Sequence, residues 1–248
     1  MAAASRRAIV TGGGRGIGRA VAGALTRAGY DVTVLGRTAK TLDDAVAAGD
    51  AAAAKVLDVT DTEALSSYLH GQTVDILVSN AGIADSAPFA KTDLAHFRRL
   101  MTVNFESVVA ATQAVLPGMI DRGFGRIISV ASVAGLKGYP YVSAYCASKH
   151  AVVGLTRALA REVAKTGVTV NAVCPGYVDT DLVRDGASRI AAKTGRPAGE
   201  IATSFHKHNP QDRFVTATEV AAAVVWLASA EAAAVNGQAI AIDGGETA

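Results

Sequence analysis

Seven short, mostly β-branched or apolar runs alternate with longer helical patterns along the whole 248-residue chain. The runs are Arg7–Thr11, Asp31–Leu35, Ala53–Asp58, Ile76–Ser79, Gly125–Ala131, Thr169–Pro175 and Gln238–Asp243. Several are apolar throughout instead of alternating, the pattern of strands covered on both faces. Helical stretches Gly16–Ala28, Thr62–His70, Leu94–Gly118, Ser143–Lys165 and Thr218–Ala228 fall between them. Such alternation is built from right-handed βαβ units, so it predicts an α/β fold of three layers around one doubly wound parallel sheet of about seven strands. Residues 1–248 read as a single domain. Asp181–Arg213, with Gly186, Gly195, Pro197, Gly199 and Pro210, reads as an irregular excursion with two short helical patterns at most, either a lid over a site or a surface loop.

Composition narrows the function classes. Hydrophobic residues are 50% and charged residues 19% of the chain, which excludes disorder for most of it. A net charge of +2 is too small to imply a nucleic-acid or membrane-surface partner. The longest uncharged apolar stretch, Val220–Ala230, is shorter than the roughly 18 residues of a membrane span. Ala8-Ile9-Val10 breaks at once into glycines, so no secretory apolar region forms and a soluble, cytoplasmic protein is expected. Cys146 and Cys174 have neither disulfide nor metal spacing and read as small buried hydrophobes in a reducing compartment. His70, His96, His150, His206 and His208 show no ligand spacing with carboxylates, so no metal is expected.

The first strand runs directly into Thr11-Gly12-Gly13-Gly14-Arg15-Gly16-Ile17-Gly18 and then an amphipathic helix. Glycines there permit a sharp turn and let backbone N–H groups approach a pyrophosphate at the helix N-terminus, a Rossmann-type arrangement. The spacing is G-x-x-x-G-x-G, not the commoner G-x-G-x-x-G. Gly36 stands where a carboxylate would grip the adenosine ribose of NAD, while Arg37, Thr38 and Arg15 suit a 2′-phosphate. With no carboxylate opposing them, NADP(H) is favoured, and NAD(H) remains open because Arg37 equally fits an ordinary surface arginine.

Tyr145 and Lys149 lie at i and i+4 on a helical pattern, so phenol and ammonium share one face. A nearby ammonium favours phenolate and is expected to lower the tyrosine pKa. Ser132 sits just past a strand, where parallel sheets place their ligand crevice.

Together, Thr-Gly-x-x-x-Gly-x-Gly (residues 11–18), Asn80-Ala81-Gly82, Asn104, Ser132, Tyr145-x-x-x-Lys149 and Pro175-Gly176 resemble the short-chain dehydrogenase/reductase family in order along almost the whole chain. The resemblance implies Tyr145 as general acid in ketone reduction, Ser132 on the substrate oxygen and Lys149 on the nicotinamide ribose. It implies Asn104 as holder of a relay water, although asparagines here also pin helix geometry. It further implies cofactor contacts from Gly12, Arg15, Gly16, Ile17 and Gly18. Asp58 and Val59 are expected at the adenine, Asn80, Ala81 and Gly82 at the adenosine, and Pro175, Gly176, Val178 and Thr180 at the nicotinamide carboxamide. Ser79 departs from the asparagine frequent before Asn-Ala-Gly, which is expected to loosen bonding between strands.

Leu136, Tyr139, Tyr141, Val142 and Tyr177 offer an apolar and aromatic substrate wall. Ile190, Ile201, Phe205 and Phe214 on the excursion are interleaved with Arg184, Arg189, Lys193, Arg196, Lys207 and Arg213. An apolar throat with a basic rim suits an acyl thioester on coenzyme A or acyl carrier protein, although the charges equally serve solubility. The chain is most similar to the 3-oxoacyl-thioester reductases and polyketide ketoreductases of the family, which implies reduction of a 3-oxoacyl thioester. A dehydrogenase of a small secondary alcohol, sugar or hydroxy acid is the rival, and a dinucleotide-sensing binding protein the non-enzymatic alternative. The resemblance also implies a homotetramer, or a homodimer, through helices rich in small residues.

Overall fold

The computed structural model describes residues 6–248. Among them, seven parallel strands form one sheet in the order β3-β2-β1-β4-β5-β6-β7. These are β1 (Arg7–Thr11), β2 (Asp31–Gly36), β3 (Ala53–Val56), β4 (Ile76–Ser79), β5 (Gly125–Val130), β6 (Val168–Pro175) and β7 (Ala239–Ile242). Helices α1 (Gly16–Arg27), α2 (Ala39–Ala47), α3 (Thr62–His70), α4 (Leu94–Met101), α5 (Ser107–Asp121), α6 (Ser143–Glu162), α7 (Asp181–Thr194), α8 (Ala198–His206) and α9 (Ala217–Ala228) connect them. The order reverses between β1 and β4, which opens a crevice beyond their carboxyl ends.

Each central strand is apolar on both faces because both are covered. Val10, Val34, Val78 and Ile128 meet Val21 and Leu25 of α1 and Val220, Val224 and Leu227 of α9. Their neighbours Ile9, Leu35, Leu77 and Ile127 face Leu65 and Leu69 of α3, Ala111, Val115 and Met119 of α5, and Ala160 of α6. This is the Rossmann-type α/β architecture that the alternation predicts.

Three elements differ from the sequence reading. The stretch read as one helix over Leu94–Gly118 is interrupted by a π-helical turn at Thr102–Glu106 and continues to Asp121. Such turns widen a helix by one residue and gather at functional positions, and this one carries Asn104. Helix α2 gives no clear periodic signal because only Leu42 and Ala45 of its nine residues are buried. The excursion is mostly helical. Gly195, at φ +71°, ends α7 as a left-handed cap, and Pro197 precedes α8, so these residues punctuate helices instead of opening a loop. No helix among the described residues is long and apolar enough to cross a membrane.

Candidate active site

The glycine turn is folded tightly against the strand ends. Asn80 donates from Nδ2 to the carbonyls of Thr11 (3.0 Å) and Gly12 (3.2 Å), while Thr11 Oγ1 accepts from the backbone N–H of Asn80 and of Ala81, both at 3.0 Å. A Cβ on Gly18 would lie 2.2 Å from the Gly12 carbonyl oxygen, and one on Gly13 would lie 2.4 Å from Val34 Cγ1. Gly12 and Gly16 adopt φ of +66° and +53°. Helix α1 has no acidic residue in its first turn, and Arg15 at its N-cap makes no side-chain cap, so its leading N–H groups suit an anion. Ile17 packs partly against the core. The cradle fits a dinucleotide pyrophosphate.

Gly36 ends β2, and Thr38 sits at the N-cap position of α2 without a side-chain cap. Arg37 stands exposed, with Asp58 Oδ2 3.9 Å away. The expectation that no carboxylate opposes Arg37 is therefore corrected, because β3 runs parallel to β2 and brings Asp58 alongside. At that length and exposure the pair holds Arg37 only weakly. Asp58 also accepts from Thr60 N at 3.0 Å, which with the Arg37 charge keeps its carboxyl below the usual range. Val59 is buried in the core, so of the expected adenine pair only Asp58 presents its side chain outward.

Ser132 follows β5 and Tyr145 lies in the first turn of α6. Ser132 faces the Tyr145 phenol closely enough to favour its ionised form, and Ser132 Oγ accepts from Ala134 N at 3.1 Å. Lys149, one turn along α6, is buried, donates to the Val130 carbonyl at 2.9 Å, and keeps Nζ 5.8 Å from the centre of the Tyr145 ring. Burial pushes the Tyr145 phenol up to about 12 against the opposing pull of Ser132. Burial also pushes Lys149 down to about 8. The expectation that Lys149 lowers the tyrosine pKa is corrected here: desolvation dominates both groups, and the ammonium is turned toward a backbone carbonyl.

Asn104 is buried and fully occupied. Oδ1 accepts from Ile83 N (2.9 Å), and Nδ2 donates to Ile83 O (2.9 Å) and Ser148 Oγ (3.0 Å). Ser148 in turn donates to the Tyr145 carbonyl at 2.8 Å. A Cβ on Gly82 would lie 3.2 Å from Asn104 Oδ1 and 3.7 Å from Lys149 Nζ, so the Asn80-Ala81-Gly82 loop and these two side chains form one cluster. Ser79 Oγ is buried without a partner.

At the opposite end of the crevice, Gly176 N donates to the Ile242 carbonyl at 3.0 Å just past Pro175, and Val178 bridges to Val215. Thr180 is buried beside the glycine turn: a Cβ on Gly16 would lie 3.4 Å from its methyl carbon. Leu136 packs against Val108, Ala131 and Val152. Tyr177 stacks on Phe205 with centroids 4.7 Å apart and lies 5.9 Å from the His208 ring. Tyr139 donates its phenol to Glu246 Oε1. The Glu246 side chain is 2% exposed, and Lys137 Nζ lies 3.3 Å from it. Sequence reading missed Glu246, because nothing in the spacing links it to Tyr139 107 residues earlier.

The cations of the 181–213 excursion are largely engaged. Arg184 pairs with Asp179 and with Asp181, and Arg213 forks onto Glu219 at 2.7 and 2.9 Å. Arg189 donates to the Ala84 carbonyl at 3.3 Å. Lys207 is exposed, and the side chain of Lys193 lies outside the described residues.

Comparison with known proteins places this geometry. The family model described as short chain dehydrogenase matches residues 6–190. The chain is 35% identical over 257 residues to a D-beta-hydroxybutyrate dehydrogenase of Rhizobium meliloti, covering 98% of this chain and 99% of the relative. It is 39% identical over 249 residues to 2-(S)-hydroxypropyl-CoM dehydrogenase 3 of Xanthobacter autotrophicus, covering 96% and 95%. The crystal structure of an actinorhodin polyketide ketoreductase with NADPH superposes with a TM-score of 0.92 at 33% identity, covering 98% and 97%. The matched residues span the glycine turn, Asn104, Ser132, Tyr145 and Lys149, and the chain belongs to the short-chain dehydrogenase family.

Proposed function

We propose that the protein interconverts a ketone and a secondary alcohol with NADP(H), Tyr145 being the proton donor in reduction. The observation that carries this reading is the grouping of Ser132, Tyr145 and the buried Lys149, which donates to the Val130 carbonyl at 2.9 Å, beside a dinucleotide cradle. When bound, NADPH supplies the hydride. The Tyr145 phenol, held near 12, keeps its proton at neutral pH and is ready to deliver it to the carbonyl oxygen. Ser132 Oγ orients that oxygen and supports its developing charge. Lys149 takes the nicotinamide ribose, and Asn104 positions Ile83, Ser148 and through it the start of α6. Pro175, Gly176, Val178 and Thr180 hold the carboxamide, and Asn80, Ala81 and Gly82 line the adenosine. Arg15, Arg37 and Thr38 meet the 2′-phosphate, which sets NADP(H) ahead of NAD(H).

Of the two substrate classes, a small polar ketone or secondary alcohol, such as a sugar or hydroxy compound, is favoured. The basic rim argued for a thioester, but Arg184 and Arg213 are already paired to carboxylates. Tyr139 of the expected aromatic wall is also tied to a carboxylate, donating to Glu246 Oε1. A 3-oxoacyl thioester on coenzyme A or acyl carrier protein is the second reading, supported by the likeness to a polyketide ketoreductase. NADPH oxidation by the purified protein decides between them, with small hydroxylated ketones in one arm and acetoacetyl-CoA in the other. No turnover in either arm overturns the oxidoreductase reading. We also propose a cytoplasmic homotetramer, which light scattering at micromolar concentration checks.

A further inference from the structure

Gly36 leaves the end of β2 without a side chain, and the carboxylate that reaches Arg37 comes from the neighbouring strand. β2 and β3 run parallel with Gly36 opposite Val56, and Leu57 N donates to the Gly36 carbonyl at 2.8 Å. That register carries Arg37 and Asp58 out of the sheet side by side, with Arg37 Nη1 3.9 Å from Asp58 Oδ2. The carboxylate is held in place there. Its Oδ1 accepts from the backbone N–H of Thr60 at 3.0 Å and from the Thr60 hydroxyl at 2.9 Å, which leaves Oδ2 for Arg37. Asp58 also lines a surface cleft of about 540 Å³ with Lys55 and Tyr68, and Lys55 Nζ lies over the Tyr68 ring, 5.8 Å from its centre.

The Arg37–Asp58 separation is too long for a hydrogen bond, so Asp58 does not fix the orientation of the guanidinium and acts on it through charge alone. The two side chains are 69% and 42% exposed, so the guanidinium is free to turn toward a phosphate that arrives beside it. Carboxylate and 2′-phosphate then draw on the same cation, and each attraction weakens the other. NAD(H) carries a hydroxyl in place of that phosphate and meets no such contest. Arg15, exposed at the N-cap of α1, has no carboxylate within ion-pair distance among the described residues.

We propose that Asp58 is a cofactor-specificity residue, whose carboxylate draws Arg37 from the 2′-phosphate and holds the preference for NADP(H) over NAD(H) below what Arg15 and Arg37 would otherwise give. The inference rests on the NADP(H) reading above and deepens it. Asp58 acts only on the discrimination between the two cofactors in this role, because the contested cation meets the one group by which they differ.

The test is calorimetric titration with NADPH and with NADH, which needs no turnover. The ratio of the two Kd values cancels any contact that Asp58 makes to the part of the cofactor they share. Asp58→Asn keeps an acceptor for Thr60 and removes the charge. It is expected to raise the preference for NADPH over NADH by about threefold or more at low salt, the scale of an exposed ion pair. Asp58→Ser, a second uncharged variant, is held to the same expectation. In an Arg37→Met background, Asp58→Asn is expected to leave the ratio nearly unmoved. An unmoved ratio in both folded single variants overturns the proposal. A lowered ratio overturns it too, and makes Asp58 a support that aims Arg37 at the phosphate. An equal rise with Arg37→Met in place also overturns it, because the carboxylate then repels the phosphate without Arg37. Wild type that binds neither dinucleotide defeats the cofactor reading and the proposal with it, whereas the other adverse outcomes leave the cofactor reading standing.

Discussion

Asn104 and Ile83 exchange a full amide pair: Oδ1 accepts from Ile83 N and Nδ2 donates to Ile83 O, each at 2.9 Å. This pins the π-helical turn between α4 and α5 to the loop after β4, with a third bond to Ser148 on α6. Asn104→Leu orphans buried backbone groups at Ile83, each worth roughly 1–3 kcal/mol. We expect a lower Tm by thermal denaturation, and a fall in kcat out of proportion to any change in NADPH binding.

Tyr145→Phe keeps the ring and its packing and deletes only the hydroxyl that carries the proton. We expect kcat to fall by roughly 10²–10⁴-fold, the usual contribution of general acid catalysis. NADPH affinity, read by fluorescence titration, should stay within about threefold.

The directions of reaction should part with pH. A phenol near 12 stays protonated through the neutral range, so ketone reduction should be nearly flat there with respect to Tyr145. Alcohol oxidation needs the phenolate and should rise with pH toward the alkaline limit of stability. Steady-state profiles in both directions check this.

Stability should carry the mark of Lys149. Its folded pKa of about 8 lies below the ordinary 10.5. Between those values the unfolded chain holds a proton that the folded one lacks, so unfolding free energy rises with pH across that window, by up to on the order of 3 kcal/mol. Tyr145, at about 12 against 10.0, works oppositely above pH 10, where the folded chain retains the proton. Lys149→Met should flatten the rise between pH 8 and 10 in urea unfolding; an unchanged slope would sink the assignment.

Two glycines make a matched pair of tests. Gly18→Ala drives a methyl to 2.2 Å from the Gly12 oxygen, so the turn must deform, and we expect at least a tenfold loss of NADPH affinity. Gly186→Ala in α7 has open space around its Cβ and should raise Tm slightly by helix propensity.

The sheet was readable because both faces of each central strand must be apolar, as in Ile9-Val10 and Ile127-Ile128. That Tyr145 and Lys149 share one face of α6 and that Ser132 follows β5 was readable from helix spacing and strand ends. The π-turn was not, since one extra residue in a turn leaves no periodic trace, and α2 is too short to display a face. The direction of the pKa shifts depended on burial, which i, i+4 spacing does not report. Glu246 was invisible because its partners, Lys137, Tyr139 and Gly176, are assembled only when the chain end folds back over β6 and β7.

Val178 and Val215 bridge at the base of the 181–213 excursion, with Val215 N donating to the Tyr177 carbonyl at 2.9 Å and Asp179 N to the Val215 carbonyl at 3.3 Å. The two ends of the excursion are thus joined by the body of the fold. Loop closure scales only with the logarithm of length, about 0.6 kcal/mol per doubling. A change of length at the exposed turn between α7 and α8 therefore carries little closure cost, while buried Ala187 and Ile201 keep the two helices seated on the body. The bridge thus lets that turn vary in length while the register of Pro175–Thr180 is held by hydrogen bonds on the body of the fold.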